Sequence, residues 1–288
     1  MSLLKEEELI KFLPKDGPTV EGVKKYLEKY NDEFIVIKCG GSILVDPNLF
    51  KIFIEDIAVL NKLGFNPIIV HGGGKRISNK LNKLNIKSNF IKGLRVTDKN
   101  TINIVEDILI DFNKEIVVAL NNQSCASRRI TSKEYNVITV KPESKELGFV
   151  GTPTHIKIDV LREIIKINEV PIIAPLGLDK NNQTFNINAD TVAGAIAKEL
   201  KARRLMIISD VEGVLDDKKK LIPEINSQKA KELIDQEVIS GGMIPKINNC
   251  LDVASNGVKG VVIIDGRKNH SLLFELLSDK GSGTLIRE

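Results

Sequence analysis

Phe34-Ile-Val-Ile-Lys38-Cys39-Gly40-Gly41 is the stretch on which the fold turns. A short, unbroken apolar run that stops at two glycines reads as a strand buried on both faces and ending in a tight turn. The same form recurs outward along the chain: PIIVH at 67–71 before Gly72-Gly73-Gly74, PIIAPLG at 171–177, LMIISD at 205–210 and VVIID at 261–265. Segments of helical period lie between these runs. Asp46-Pro47 places a capping carboxylate before a proline at the first helical position, and the stripe of LFKIFIEDIAVLNKL then runs until Gly64. Buried strands alternating with helices predict an α/β fold, a three-layer αβα sandwich around a mainly parallel open sheet. Segments 86–96 and 176–188 alternate more and carry turn residues, so they read as hairpins decorating that sheet.

Composition narrows the function. The 288 residues, 42% hydrophobic and 28% charged, describe neither a disordered chain nor a membrane protein, and no apolar run is long enough to span a bilayer. Lys+Arg exceed Asp+Glu by 42 − 38 = 4. That mild basicity suits a small polyanion and is too evenly spread for a nucleic-acid face. Cys39, Cys125 and Cys250 are odd in number and far apart, which fits neither a disulfide framework nor a zinc site. The start MSLLKEEELIKF carries acids where a secretory signal needs a basic region, so the expected location is the cytoplasm.

The first ~30 residues stand apart. Pro14-Lys-Asp-Gly-Pro18 is a breaker; Thr19 then caps a helix whose apolar positions are Val20, Val23, Leu27 and Tyr30. This N-terminal helical extension reads either as a helix packed on its own body or as an oligomerisation arm. Lys218-Lys219-Lys220 reads as a solvated turn.

In parallel α/β sheets, ligands sit at the carboxyl ends of the strands. There the chain places Lys38 beside Gly40-Gly41, then Gly72-Gly73-Gly74; a further glycine pair, Gly241-Gly242, is followed by Lys246. Glycine turns let backbone N–H groups close on an anion, although a tight strand-to-helix turn would use the same residues. His71 reads as structural. Asp190 opens the helix of TVAGAIAKEL, where a carboxylate is stabilised and can hold lysines. No phosphate-loop motif and no dinucleotide fingerprint occurs. Three glycine turns, two lysines and one acid point to phosphate binding, with transfer catalysed by cations.

KCGG (38–41), VHGGG (70–74), GLRVTD (93–98), NINADTVAGAIA (186–197), SDVEGVLDD (209–217) and GGMIPK (241–246) together resemble the N-acetylglutamate kinases of the amino acid kinase superfamily, in order and over nearly all of 34–288. The resemblance implies ATP-dependent phosphorylation of the side-chain carboxylate of N-acetyl-L-glutamate in arginine biosynthesis. It makes Lys38 and Lys246 the catalytic cations and Asp190 the group that orients them. Gly73, Gly74, Arg95 and Asn186 would bind the acceptor; Gly40, Gly41, Ser209, Asp210, Gly213 and Gly242 would bind the nucleotide. Mg²⁺ would arrive with ATP, without a dedicated metal site on the protein. Residues 31–185 become the acylamino-acid half and 186–288 the nucleotide half. In the arginine-sensitive branch an extension such as 1–30 links dimers into a hexamer, and Lys201, His270, Glu275 and Gly281 match the segment that binds L-arginine. Two departures stand out. Cys39 replaces a commoner Tyr or Leu and reads as packing, and Lys75-Arg76 add charge where Pro or Cys is commoner. Other superfamily members, acting on glutamate, aspartate, carbamate or an aminoadipate derivative, form one alternative, which GLRVTD disfavours. An arginine-binding module without transfer is another, which Lys38, Asp190 and Lys246 disfavour.

Overall fold

Apolar runs that saturate both sheet faces need helices on both sides, and the chain supplies them. The computed structural model describes residues 9–11, 13–279 and 281–288. The part of the expected extension at 1–8 and 12 lies outside the described residues. In chain order, α1 (Val20–Tyr30) precedes β1 (Phe34–Cys39), a 3₁₀ turn (Gly41–Leu44), α2 (Pro47–Lys62), β2 (Asn66–His71) and α3 (Gly74–Lys83). Then come β3 (Phe90–Ile91), β4 (Leu94–Arg95), α4 (Lys99–Asn122), β5 (Ser127–Ile130), β6 (Ile138–Pro142), β7 (Gly151–Ile156), α5 (Ile158–Lys166) and β8 (Val170–Ile173). The remainder is β9 (Leu176–Leu178), β10 (Thr184–Asn186), α6 (Ala189–Leu200), β11 (Arg204–Ser209), β12 (Glu224–Ile225), α7 (Ser227–Asp235), α8 (Met243–Ser255), β13 (Val261–Asp265), α9 (Ser271–Leu277) and β14 (Gly283–Ile286).

The main sheet has the order β12-β14-β13-β11-β1-β2-β8-β5. From β13 to β5 every pair is parallel, whereas β14 runs antiparallel to β13. Alternate residues of each strand feed two cores. Val36, Val70, Ile207 and Ile263 meet α5, α6, α7 and α8 on one face; Ile37, Ile69, Ile208 and Ile264 meet α1, α2, α4 and α9 on the other. This is the expected three-layer sandwich. The expected caps are present: Thr19 Oγ1 accepts from Gly22 N at 3.2 Å, and Asp46 Oδ1 accepts from the backbone of Asn48 and Leu49. Lys218–Lys220 are exposed. α1 packs on its own body, with Val23, Leu27 and Tyr30 buried and the Tyr30 ring 5.6 Å from Phe65.

Both expected hairpins form, β3 with β4 and β9 with β10. The run 171–177 is not one strand, however. It breaks at Ala174-Pro175, where the chain leaves the main sheet and β9 enters a second sheet of order β10-β9-β6-β7. The small residues of α6 serve a close helix contact: a side-chain carbon on Gly194 would lie 2.9 Å from Val253 of α8. That contact brings the start of α6 beside the start of α8. Among the described residues no helix is long and apolar enough to cross a membrane.

Candidate active site

The parallel order places the carboxyl ends of β2, β1 and β11 side by side, so the glycine turns after β2 and β1 converge with Ser209-Asp210 at the end of β11. A cavity of about 590 Å³ opens there, lined by Lys38, Gly40, Gly72–Gly74, Arg95, Asn186 and Asp190 among others. A second cavity, also about 590 Å³, is lined by Gly241, Gly242, Lys246 and Asn249. Asn188 and Asp190 line both.

Asp190 sits in the first turn of α6. Its Oδ1 lies 2.9 Å from Lys38 Nζ, and its Oδ2 accepts a hydrogen bond from Lys246 Nζ at 3.0 Å. The three side chains are 22%, 14% and 20% exposed, so water screens the bridge only partly. Burial alone would raise the Asp190 pKa; the Lys38 and Lys246 ammonium groups outweigh it and hold the carboxyl down at about 2. The helix cap itself is Asn188, whose Oδ1 accepts from the N–H groups of Asp190 (2.9 Å) and Thr191 (3.1 Å). Sequence reading gave Asn188 no role, although an Asn directly before a helical run is an N-cap signal.

The acceptor-side residues named from sequence come together. Gly73 and Gly74 start α3, where helix geometry leaves backbone N–H groups without intrahelical partners. A β-carbon at Gly73 would lie 2.6 Å from Leu109 Cδ2, so any side chain there would have to displace the buried Leu109. Arg95, buried in the β3–β4 hairpin, donates from Nη1 to Ser88 Oγ (2.7 Å) and from Nη2 to Gly74 O (3.0 Å) and Ser78 Oγ (2.9 Å). Its guanidinium carbon stands 4.7 Å from the centre of the Phe90 ring, and burial lowers its pKa. Asn186 lines the same cavity at the end of β10. His71 is structural: fully buried, its pKa pushed down to about 4 by burial, it contacts Gly72 O (3.0 Å) and Asn113 Nδ2 (3.1 Å). A neutral ring with the proton on Nδ1 satisfies both contacts. Cys39 is buried among apolar side chains, and that burial raises its thiol to about 12, as its packing role requires.

Among the residues expected to meet the nucleotide, Gly41 adopts φ +66°, and a side chain there would collide with Asp210. Asp210 Oδ1 accepts from Ser42 N at 2.7 Å. Lys75 Nζ donates to Asp210 Oδ2 and to Ser42 Oγ, both at 3.0 Å, so it crosses the β1 turn. Arg76 points elsewhere: it donates twice to Glu115 (2.8 and 2.7 Å) and lies 3.9 Å from the centre of the Phe112 ring. Ser209 ends β11. Gly213, at φ +138°, packs tightly on Thr284, whereas Gly241 and Gly242 face open space.

The four arginine-segment residues divide. Glu275 and Gly281 meet, with Glu275 Oε2 accepting from the N–H groups of Ser282 (2.6 Å) and Gly283 (3.2 Å); burial raises the Glu275 pKa. His270, at the opposite end of α9, has both ring nitrogens taken by carboxylates, Asp56 Oδ1 at 2.6 Å and Asp16 Oδ1 at 3.2 Å. Lys201 closes α6 as a left-handed cap, φ 51°.

Two cavities lined by cationic side chains and glycine turns, joined at a carboxylate that pins two ammonium groups, have the chemistry that phosphoryl transfer needs, on a doubly covered parallel sheet. The amino acid kinase family matches residues 33–265, and the chain belongs to that family. Within it the chain falls among the acetylglutamate kinases, kinases with a carboxyl group as acceptor. It is 81% identical to the acetylglutamate kinase of Pelagibacter ubique over 288 residues, all of both chains. It is 43% identical to that of a Bradyrhizobium strain over 277 residues, 91% of this chain and 93% of that one. Among solved structures, N-acetylglutamate synthase from Neisseria gonorrhoeae complexed with coenzyme A and N-acetyl-glutamate matches the fold with a TM-score of 0.84 at 22% identity. The match covers 93% of this chain and 62% of that one. The same synthase complexed with coenzyme A and L-arginine gives a TM-score of 0.81 at 20% identity, over 93% of this chain and 64% of that one.

Proposed function

We propose that this protein transfers the γ-phosphoryl group of ATP to the side-chain carboxylate of N-acetyl-L-glutamate, giving N-acetyl-L-glutamyl 5-phosphate and ADP, in arginine biosynthesis. The observation that carries the reading is the Lys38–Asp190–Lys246 bridge at the junction of the two cavities. A carboxylate acceptor is ionised at pH 7, so no general base is required. The obstacle is electrostatic, because an anion must approach a polyanion. Two ammonium groups held on one carboxylate lower that barrier while the acceptor oxygen bonds to phosphorus and the bond to the ADP oxygen breaks. Asp190 holds both lysines before substrate arrives.

In this reading residues 31–185 supply the acceptor half and 186–288 most of the nucleotide half. The N–H groups at Gly73 and Gly74 face the reacting carboxylate, Arg95 holds the other, and Asn186 contacts the acylamino acid. Either two-point edge of a guanidinium includes Nη2, and both Nη2 hydrogens of Arg95 are engaged, by Gly74 and Ser78. A two-point grip on the acceptor therefore displaces one of those bonds. The triphosphate lies near Gly40, Gly41, Ser209, Asp210 and Gly242, with Gly213 shaping the turn through its packing on Thr284. Asp190 and Asp210, the two carboxylates beside the lysines, are both neutralised by ammonium groups. That donor set fits Mg²⁺ held by phosphate oxygens and water, neutralising charge on the nucleotide.

The reading extends to a cytoplasmic homo-oligomer, dimers joined into a hexamer through the N-terminal extension, and to feedback inhibition by L-arginine at the α9–β14 segment. Supporting the latter is the partly buried Glu275 carboxylate, whose two backbone bonds both fall on Oε2. The test of the reaction is ADP release with N-acetylglutamate, glutamate and N-acetylaminoadipate in parallel, with hydroxylamine added to trap an acyl phosphate. N-acetylglutamate-dependent turnover with a hydroxamate product is expected; ADP release without hydroxamate would overturn the reading.

A further inference from the structure

Lys75 is unusually placed for a lysine. It occupies the first turn of α3, the positive end of the helix macrodipole, in a turn that holds no acid. Its neighbour Arg76 is neutralised locally by Glu115. The Lys75 ammonium instead reaches over the β1 turn to Asp210 and Ser42, residues of the two neighbouring strand ends. It rises from the acceptor-side glycine turn and rests on nucleotide-side groups.

The Asp210 carboxylate there behaves as an internal anion. One oxygen accepts a backbone N–H from the β1 glycine turn at 2.7 Å, and the other accepts the lysine at 3.0 Å. An N–H from a glycine turn plus an ammonium group is the donor set that a phosphate oxygen seeks. The Lys75–Asp210 pair is accessible, with side chains 49% and 35% exposed, so it contributes little stability and exchanges partners at small cost. Lys75 also lines the cavity that contains Lys38 and Gly40.

We infer that Lys75 is a third phosphate-binding ammonium group, resting on Asp210 and Ser42 in the free protein and shared with the nucleotide's polyphosphate when ATP is bound. The inference rests on the kinase reading above and adds a residue to the nucleotide side of the site. It does not alter the acceptor.

The test is steady-state kinetics of Lys75→Met and Lys75→Arg beside the unaltered protein, with MgADP binding measured by calorimetry. Losing one charged hydrogen bond to phosphate raises KM for ATP and Kd for MgADP by about 10-fold or more. KM for the acylamino acid stays within about twofold, and Lys75→Arg recovers most of the loss by restoring charge. A lysine that only tied two turns together would leave both nucleotide constants unchanged, and that result overturns the inference. A rise confined to the acylamino acid KM also overturns it. Should Lys75→Met fail to fold, amine-selective labelling of the unaltered protein decides instead. MgADP alone should protect Lys75, and equal labelling with and without it rejects the assignment. Absence of N-acetylglutamate-dependent turnover in the unaltered protein would count against the kinase reading, and calorimetry would still judge Lys75.

Discussion

Replacing Asp190 by Asn tests the centre of the proposed mechanism, because the change keeps shape and removes charge. The carboxylate lies 2.9 Å from the Lys38 ammonium and 3.0 Å from that of Lys246, in a setting about one-fifth exposed. Its pKa is lowered from 3.8 to about 2, which by linkage corresponds to about 2 kcal/mol of folding stability at neutral pH. A lowered carboxylate pKa stabilises above the unfolded value and loses that contribution as pH falls through the folded one, so the window is pH 4 to 2. In Asp190→Asn two ammonium groups are left facing each other without a counter-ion, and they separate. Chemical denaturation at pH 7 should show a loss of about 2 kcal/mol, and the stability difference from the unaltered protein should shrink between pH 4 and 2. Turnover, followed as ADP release at saturating substrates, should fall by about 10²–10³-fold, the effect of removing one preorganised electrostatic element. A turnover within about threefold of normal, in a variant that is folded, would refute the reasoning, since the lysines would then need no carboxylate to hold them.

Further expectations follow from the same geometry. Lys38→Met and Lys246→Met should each lower kcat by about 10²-fold or more, and the double variant should lose less than the product of the two, because both cations act on one migrating group. Arg95→Lys should raise KM for the acylamino acid by about 10-fold while leaving that for ATP unchanged, because an ammonium cannot serve Ser88, Gly74, Ser78 and a carboxylate together. Rising L-arginine should inhibit the unaltered protein, and Glu275→Gln should shift the inhibition curve to higher concentration with kcat preserved; a curve that does not move removes Glu275 from the effector site. Deletion of residues 1–30 is a poor instrument for that question, since Val23, Leu27 and Tyr30 belong to the core.

What the sequence reveals and what it hides divide along physical lines. Strands covered on both faces must be apolar throughout, so β1, β2, β8, β11 and β13 stand out from their neighbours. β5 does not. It pairs only with β8 at the edge of the sheet, so Arg128 and Arg129 can point outward to Glu169 and Glu134, and its charge disguises it. β6 and β7 belong to a smaller sheet, and their exposed positions carry Lys141, Thr154 and His155. The glycine turns after β1 and β2 are legible because each directly follows an apolar run, and the sheet order then sets them side by side, whereas Gly241-Gly242 follows no strand and opens α8. The ionic links between them are not. Lys246 and Asp190 lie 56 residues apart, and their meeting depends on Gly194 letting α6 lie close to α8, a packing fact that no local pattern encodes. Lys75 is the sharper case. By sequence it belongs with the acceptor glycines, yet its long side chain delivers the charge to Asp210 on the far side of β1. For a flexible cation, then, the backbone position names the turn it starts from, and only the sheet order says which substrate it can serve.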